Sequence, residues 1–197
     1  MRTLLFTLIM LGTCFSLSAQ AGFKGSAILG INFAQIDGDG LAGYDKPGIS
    51  AGFRLSYPLE PRMDLSLEML YSTRGSQENL FGGGDAGLGT TNLRYLEMPI
   101  IYSFKDWYIE SDDYHKVKAE GGLSLGYLFD VESENTTYID GIGNLTEYDL
   151  SYILGVSYNA TRHIGFTFRY TRSLVDLYQL QGRLLSYFIT FRTDYNF

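Results

Sequence analysis

Apolar and polar residues alternate with a period of two along most of the chain, and the pattern is cleanest at its end. In residues 183–197, Leu185, Tyr187, Ile189, Phe191, Thr193, Tyr195 and Phe197 share one face of an extended strand. Ser186, Thr190, Arg192, Asp194 and Asn196 share the other, with Leu184 and Phe188 as exceptions. The same rhythm predicts strands over 23–33, 48–57, 62–74, 92–104, 116–130, 146–158 and 163–172. Pro99 interrupts the fourth of these and predicts a local bulge, since proline cannot donate to a strand ladder. Pro58-Leu59-Glu60-Pro61 and Asn159-Ala160-Thr161-Arg162 read as short turns, and 105–115 as a longer connection. The remaining links, 35–47, 75–90, 132–145 and 173–182, are long; Leu174, Leu177 and Tyr178 are spaced for one helical turn in the last.

Eight strands with long and short connections in alternation predict an all-β fold, an eight-stranded antiparallel transmembrane up-and-down β-barrel. Alternation alone does not say which face looks outward, but volume does. The apolar faces carry far more large side chains than the interior of so small a barrel can hold. The opposite faces are rich in Gly and Ser, as a crowded lumen requires. Energy points the same way. Turning the polar faces outward would aim Arg54, Glu68, Glu97, Glu120, Arg169 and Arg192 at hydrocarbon. Each Arg at mid-depth would then cost about 2–4 kcal/mol. Phe53, Leu67 and Phe168 are therefore expected on the lipid face. Closure pairs every backbone N–H and C=O between strands, which a bilayer demands.

The first residues refine this picture. Met1-Arg2, an apolar run from Leu4 to about Leu17 and then Ser18, Ala19 and Ala21 read as a secretory signal peptide over 1–19, with cleavage at 21 as the alternative. That leaves 20–197 as the barrel domain. The single cysteine, Cys14, falls inside the leader, so the exported part carries no thiol or disulfide chemistry. A formal net charge of −7 excludes nucleic acid as a partner. Short turns and both termini belong to the periplasmic side of such barrels, and long loops to the cell exterior.

Several stretches resemble one family, the small outer-membrane β-barrels of the porin-family and PorT-like type. They are Gly30-Ile31-Asn32, Glu68-Met69-Leu70-Tyr71-Ser72-Thr73-Arg74-Gly75, Tyr95-Leu96-Glu97-Met98-Pro99 and Gly126-Tyr127-Leu128. The resemblance implies an outer-membrane location and an eight-stranded barrel. It implies no single activity, although one member is associated with protein secretion. The expected partners are outer-membrane lipid, the barrel assembly machinery and an envelope or secretion protein. In such barrels the terminal aromatics, here Tyr195 and Phe197, act as the assembly signal.

Catalytic chemistry finds little footing. His115 and His163 both fall at strand starts on the periplasmic side, and no His–Ser–Asp set can be assembled around either. Asp37-Gly38-Asp39-Gly40 supplies carboxylates without the further spacing of a Ca²⁺ loop and reads as a turn. Gly84, Gly87 and Gly89 lack the strand–helix context of a phosphate loop. No cofactor, metal or catalytic residue is expected. The charged set Arg54, Glu68, Glu97, Glu120, Arg169 and Arg192 carries two readings, an ion or solute path and a salt-bridged plug. A lumen this narrow favours the plug.

Overall fold

The computed structural model describes residues 22–37, 46–76, 90–134, 146–176 and 185–197. Eight antiparallel strands close on themselves in sequence order: β1 (Lys24–Asp37), β2 (Lys46–Glu60), β3 (Met63–Ser76), β4 (Thr90–Ile109), β5 (Tyr114–Glu134), β6 (Tyr148–Asn159), β7 (Ile164–Ser173) and β8 (Leu185–Asn196). Each strand pairs with its successor, and β1 with β8 closes the ring through a register from Ser26↔Asn196 to Asp37↔Leu185. Closure leaves no edge to template aggregation.

The side chains sort as the period of two requires. Phe53, Leu67 and Phe168 are 60%, 52% and 46% exposed on the outer wall. Around them run Leu29, Ile31, Met69, Met98, Ile100, Leu123 and Phe191, all exposed. Aromatics band this apolar belt at both ends: Tyr57, Tyr102, Phe104, Tyr158 and Phe166 by the short turns, Tyr71, Tyr127, Phe129 and Tyr148 by the long loops. Most charged and hydroxyl side chains of the mid-barrel point inward. A minority of apolar ones join them, among them Ile28, Leu70, Ile101, Ile153 and Phe188, all buried.

Two local expectations are corrected. The link read over 105–115 is mostly strand: β4 continues to Ile109 and β5 begins at Tyr114, with Asp106↔Val117 and Tyr108↔His115 paired. This hairpin holds Trp107 at φ 57°, a left-handed conformation that costs a bulky residue strain. The Lys116 ammonium lies 5.2 Å from the Trp107 ring centroid. Pro99 makes no bulge. Its register with β5 is unbroken through Met98↔Leu125, Pro99↔Ser124 and Ile100↔Leu123. Pairing with β3 instead skips from Leu67↔Ile100 to Leu70↔Glu97, because the missing N–H falls on that side and no residue is added. The real irregularity lies at Arg94/Tyr95 against β5. The signal peptide, the Asp39 turn, the glycine loop and most of the proposed helical turn fall outside the described residues.

Candidate functional site: the lumen and its periplasmic vestibule

Inward-facing positions of five strands converge at mid-barrel. Arg54 on β2 stands directly across from Glu68 on β3 and donates from Nε at 2.7 Å. Glu68 also accepts from Arg169 at 2.8 and 2.9 Å and from Arg192 at 3.0 Å to each oxygen. One carboxylate thus serves three guanidiniums. Glu120 on β5 accepts from Arg169 at 2.8 and 2.6 Å and from Ser157 at 2.9 Å. Asp194 on β8 completes the set, 3.3 Å from Arg192 Nε and 3.7 Å from Arg54, with the Thr167 hydroxyl donating to it.

Three arginines against three carboxylates sum to zero, the condition under which buried charges persist. Bidentate guanidinium–carboxylate geometry makes such bonds strong as well as directional. Room comes from glycine on the neighbouring strands. A Cβ at Gly30 would lie 2.5 Å from Arg192 Cβ, and one at Gly155 would lie 2.8 Å from Arg169 Cγ. Neither arginine could hold its place beside a larger residue.

A second cluster lies nearer the long loops. Arg74 donates to Glu97 from Nε at 3.0 Å and Nη2 at 2.8 Å, and to Asp149 from Nη1 at 2.5 Å. The rings of Tyr95 and Phe188 face its guanidinium carbon at 4.5 and 4.3 Å. A guanidinium can make such contacts with two rings while its N–H groups stay bonded to carboxylates. Ser151 and Ser173 donate to Asp149, offsetting the second acid of the trio. Beside it, a void of about 10 Å³ is lined by the Tyr95 and Ser186 hydroxyls, neither of which finds a hydrogen-bond partner among the described residues. It is about the size of one water.

Of the six charged residues read from sequence, Arg54, Glu68, Glu120, Arg169 and Arg192 meet in the central cluster. Glu97 belongs to the outer one. Sequence reasoning did not nominate Arg74, Asp149 or Asp194. All three sit on faces already recognised as polar, so the signal was present; what alternation withholds is the stagger between strands that brings them to their partners.

Towards the short turns the lumen opens into a vestibule of about 1060 Å³. Lys105 donates to Asp64 at 2.7 Å on its wall. Both histidines line it. The His163 ring contacts the Arg162 Nε at 2.7 Å and the Asn196 carbonyl at 2.9 Å. The His115 ring packs against Tyr108 at 5.0 Å. His115 lies in the hairpin beyond the aromatic girdle; burial first and the Lys105 charge second push its pKa below the ordinary value. Tyr108, in the same hairpin, donates to Asp113 at 2.6 Å, and that bond raises its pKa.

A closed eight-stranded barrel with a lipid-facing apolar belt and a charged, filled interior defines an integral outer-membrane β-barrel protein. The family model for the outer membrane protein beta-barrel domain matches residues 15–179, and the chain belongs to that family. Among solved structures it is similar to Neisserial surface protein A (NspA), with a TM-score of 0.56 at 16% identity, over 89% of this chain and 97% of that one. It is also similar to Ail, the attachment invasion locus protein of Yersinia pestis, with a TM-score of 0.51 at 15% identity, over 88% and 99%. Ail in complex with the heparin analogue sucrose octasulfate gives 0.50 at 16%, over the same shares. At these identities the likeness is one of fold. No curated protein matches the chain.

Proposed function

We propose that the protein is a sealed, non-enzymatic barrel that anchors four long loops in the outer membrane and presents them to a protein partner in the envelope. The filled lumen carries this reading. Across its middle the side chains of Arg54, Glu68, Glu120, Arg169 and Arg192 are 5%, 0%, 0%, 3% and 1% exposed. Ions would have to part a neutral, mutually bonded cluster to pass. The loop segments 38–45, 77–89, 135–145 and 177–184 hold Asp39, Asp45, Glu78, Asp85 and Asp140 against the single cation Arg183. Each also holds one aromatic, namely Tyr44, Phe81, Tyr138 and Tyr178. Acidic loops with aromatic anchors suit a protein partner with a basic surface. The PorT-like resemblance supports a link to secretion, and the likeness to Ail supports an adhesive role as the variant of the same idea.

Single-channel recording in planar bilayers tests the seal. The expected record is flat; discrete unitary steps would overturn it in favour of a narrow channel for ions or small solutes. Mild crosslinking of intact envelopes tests the partner, with adducts expected on the four loop segments. A barrel recovered alone would overturn that part.

A further inference from the structure

The vestibule at the short-turn end carries more positive charge than its own acids neutralise. Arg54 forms its floor but is committed to Glu68 and Glu120. Lys105 is committed to Asp64 at 2.7 Å. Lys118 lines the same wall directly across from Lys105, and like charges directly opposite one another are unfavourable. On its other side stands Ser157, whose hydroxyl is engaged with Glu120 at 2.9 Å and Thr167 at 2.8 Å. The Lys118 ammonium therefore has neither hydrogen bond nor ion pair among the described residues. The same holds for the side chains of Lys24 and Arg62, which stand exposed at the mouth. Of the lining Asp and Glu side chains, Asp64 is taken and Asp113 accepts from Tyr108, leaving Glu60.

Concave walls of low dielectric focus the field of such unpaired cations. A space of about 1060 Å³ also matches the size of a small-solute site. Lysine ammoniums are compact point charges suited to phosphate oxygens. We propose that this vestibule binds a phosphate-bearing anion from the periplasm, with Lys118 as the inner anchor and Lys24 and Arg62 as the entry pair. The phosphate could belong to a free solute or to a lipid headgroup.

Calorimetric titration of the protein, folded in phosphatidylcholine nanodiscs, with sodium pyrophosphate tests the site. Saturable one-to-one binding is expected, at least tenfold weaker in Lys118→Gln and unchanged in Lys116→Gln, whose ammonium sits by Trp107 instead. If Lys118→Gln does not fold, Lys24→Gln/Arg62→Gln changes only exposed side chains at the mouth and should weaken binding several-fold. Repeating the titration in phosphatidylglycerol discs separates the sources. Loss of pyrophosphate binding there identifies a headgroup as the occupant, and undiminished binding identifies a free solute; both keep the site. No saturable binding in phosphatidylcholine discs, or an equal loss in Lys116→Gln, overturns it.

Discussion

Replacing Glu68 by glutamine removes the charge on which the central cluster turns. Its carboxylate accepts from Arg54, Arg169 and Arg192 at 2.7–3.0 Å, and its side chain is fully buried. Glutamine keeps the shape and one acceptor oxygen but turns a neutral group of three pairs into one with an excess positive charge. Removing one partner of a buried ion pair costs about 3–5 kcal/mol, and the retained oxygen places the loss near the lower end. About 3 kcal/mol is roughly two decades in the unfolding equilibrium. Urea titration of the barrel in lipid vesicles, followed by far-ultraviolet circular dichroism, reads it directly. Glu132→Gln is the matched control, because Glu132 pairs with Arg94 at 3.1 Å with 58% of its side chain exposed. A pair in that setting contributes about 0.5 kcal/mol. Glu68→Gln combined with Arg192→Gln restores neutrality and should recover on the order of 1–2 kcal/mol relative to the sum of the single losses. A loss below about 1 kcal/mol for Glu68→Gln, against the 3–5 expected, would refute the cluster as a stabilising element. A double variant worse than the sum of its parts would do the same.

Phe197→Ala should lower insertion into membranes while leaving the lumen intact. The Phe197 ring lies 5.8 Å from that of Tyr195 and its N–H donates to the Gly25 carbonyl at 3.1 Å, so an unchanged fraction of heat-modifiable barrel on a gel would contradict it. Gly30→Ala should destabilise by about 1–3 kcal/mol through overpacking against Arg192, read in the same urea titration. The His115 ring should titrate below the ordinary value of 6.5 by NMR, and Lys105→Gln should move it upward. The sign follows from burial and a neighbouring cation disfavouring the imidazolium: stability from this group is present above the ordinary pKa and falls as the pH drops from there towards the folded pKa.

The barrel was legible because its signal is local. Every strand announces itself by alternation, and Phe53 or Leu67 needs no partner to declare its face. The central charges were legible for the same reason, since Arg54 stands on a face otherwise made of Gly and Ser, and Glu120 on one that runs on through Gly122, Ser124 and Gly126. Their pairing was not. Arg74 meets Glu97 diagonally, across a register that places Arg74 opposite Leu93 and Leu70 opposite Glu97, and no local pattern encodes that stagger. The 105–115 stretch failed for a different reason. Asp106, Glu110, Asp112 and Asp113 look like loop residues, yet the hairpin continues through cross-strand pairs on both sides of a strained Trp107. Pro99 misled in the opposite direction: proline forbids one hydrogen bond, and the sheet gave up that bond rather than its register. The vestibule was invisible because its lining is drawn from strand ends and turns far apart in sequence.

The last strand in sequence, β8, carries both Arg192 and Asp194. Until β8 pairs, Glu68 lacks one of its three cations and Arg54 one of its carboxylates; the two arginines and two carboxylates left behind still balance, so β8 brings in a neutral pair of charges and the bonds that go with it. Sealing the cylinder and completing that network are one event. The molecule therefore carries its own latch: a chain truncated before Arg192 loses the closing seam and two of the six charges that bind the strands across the lumen together.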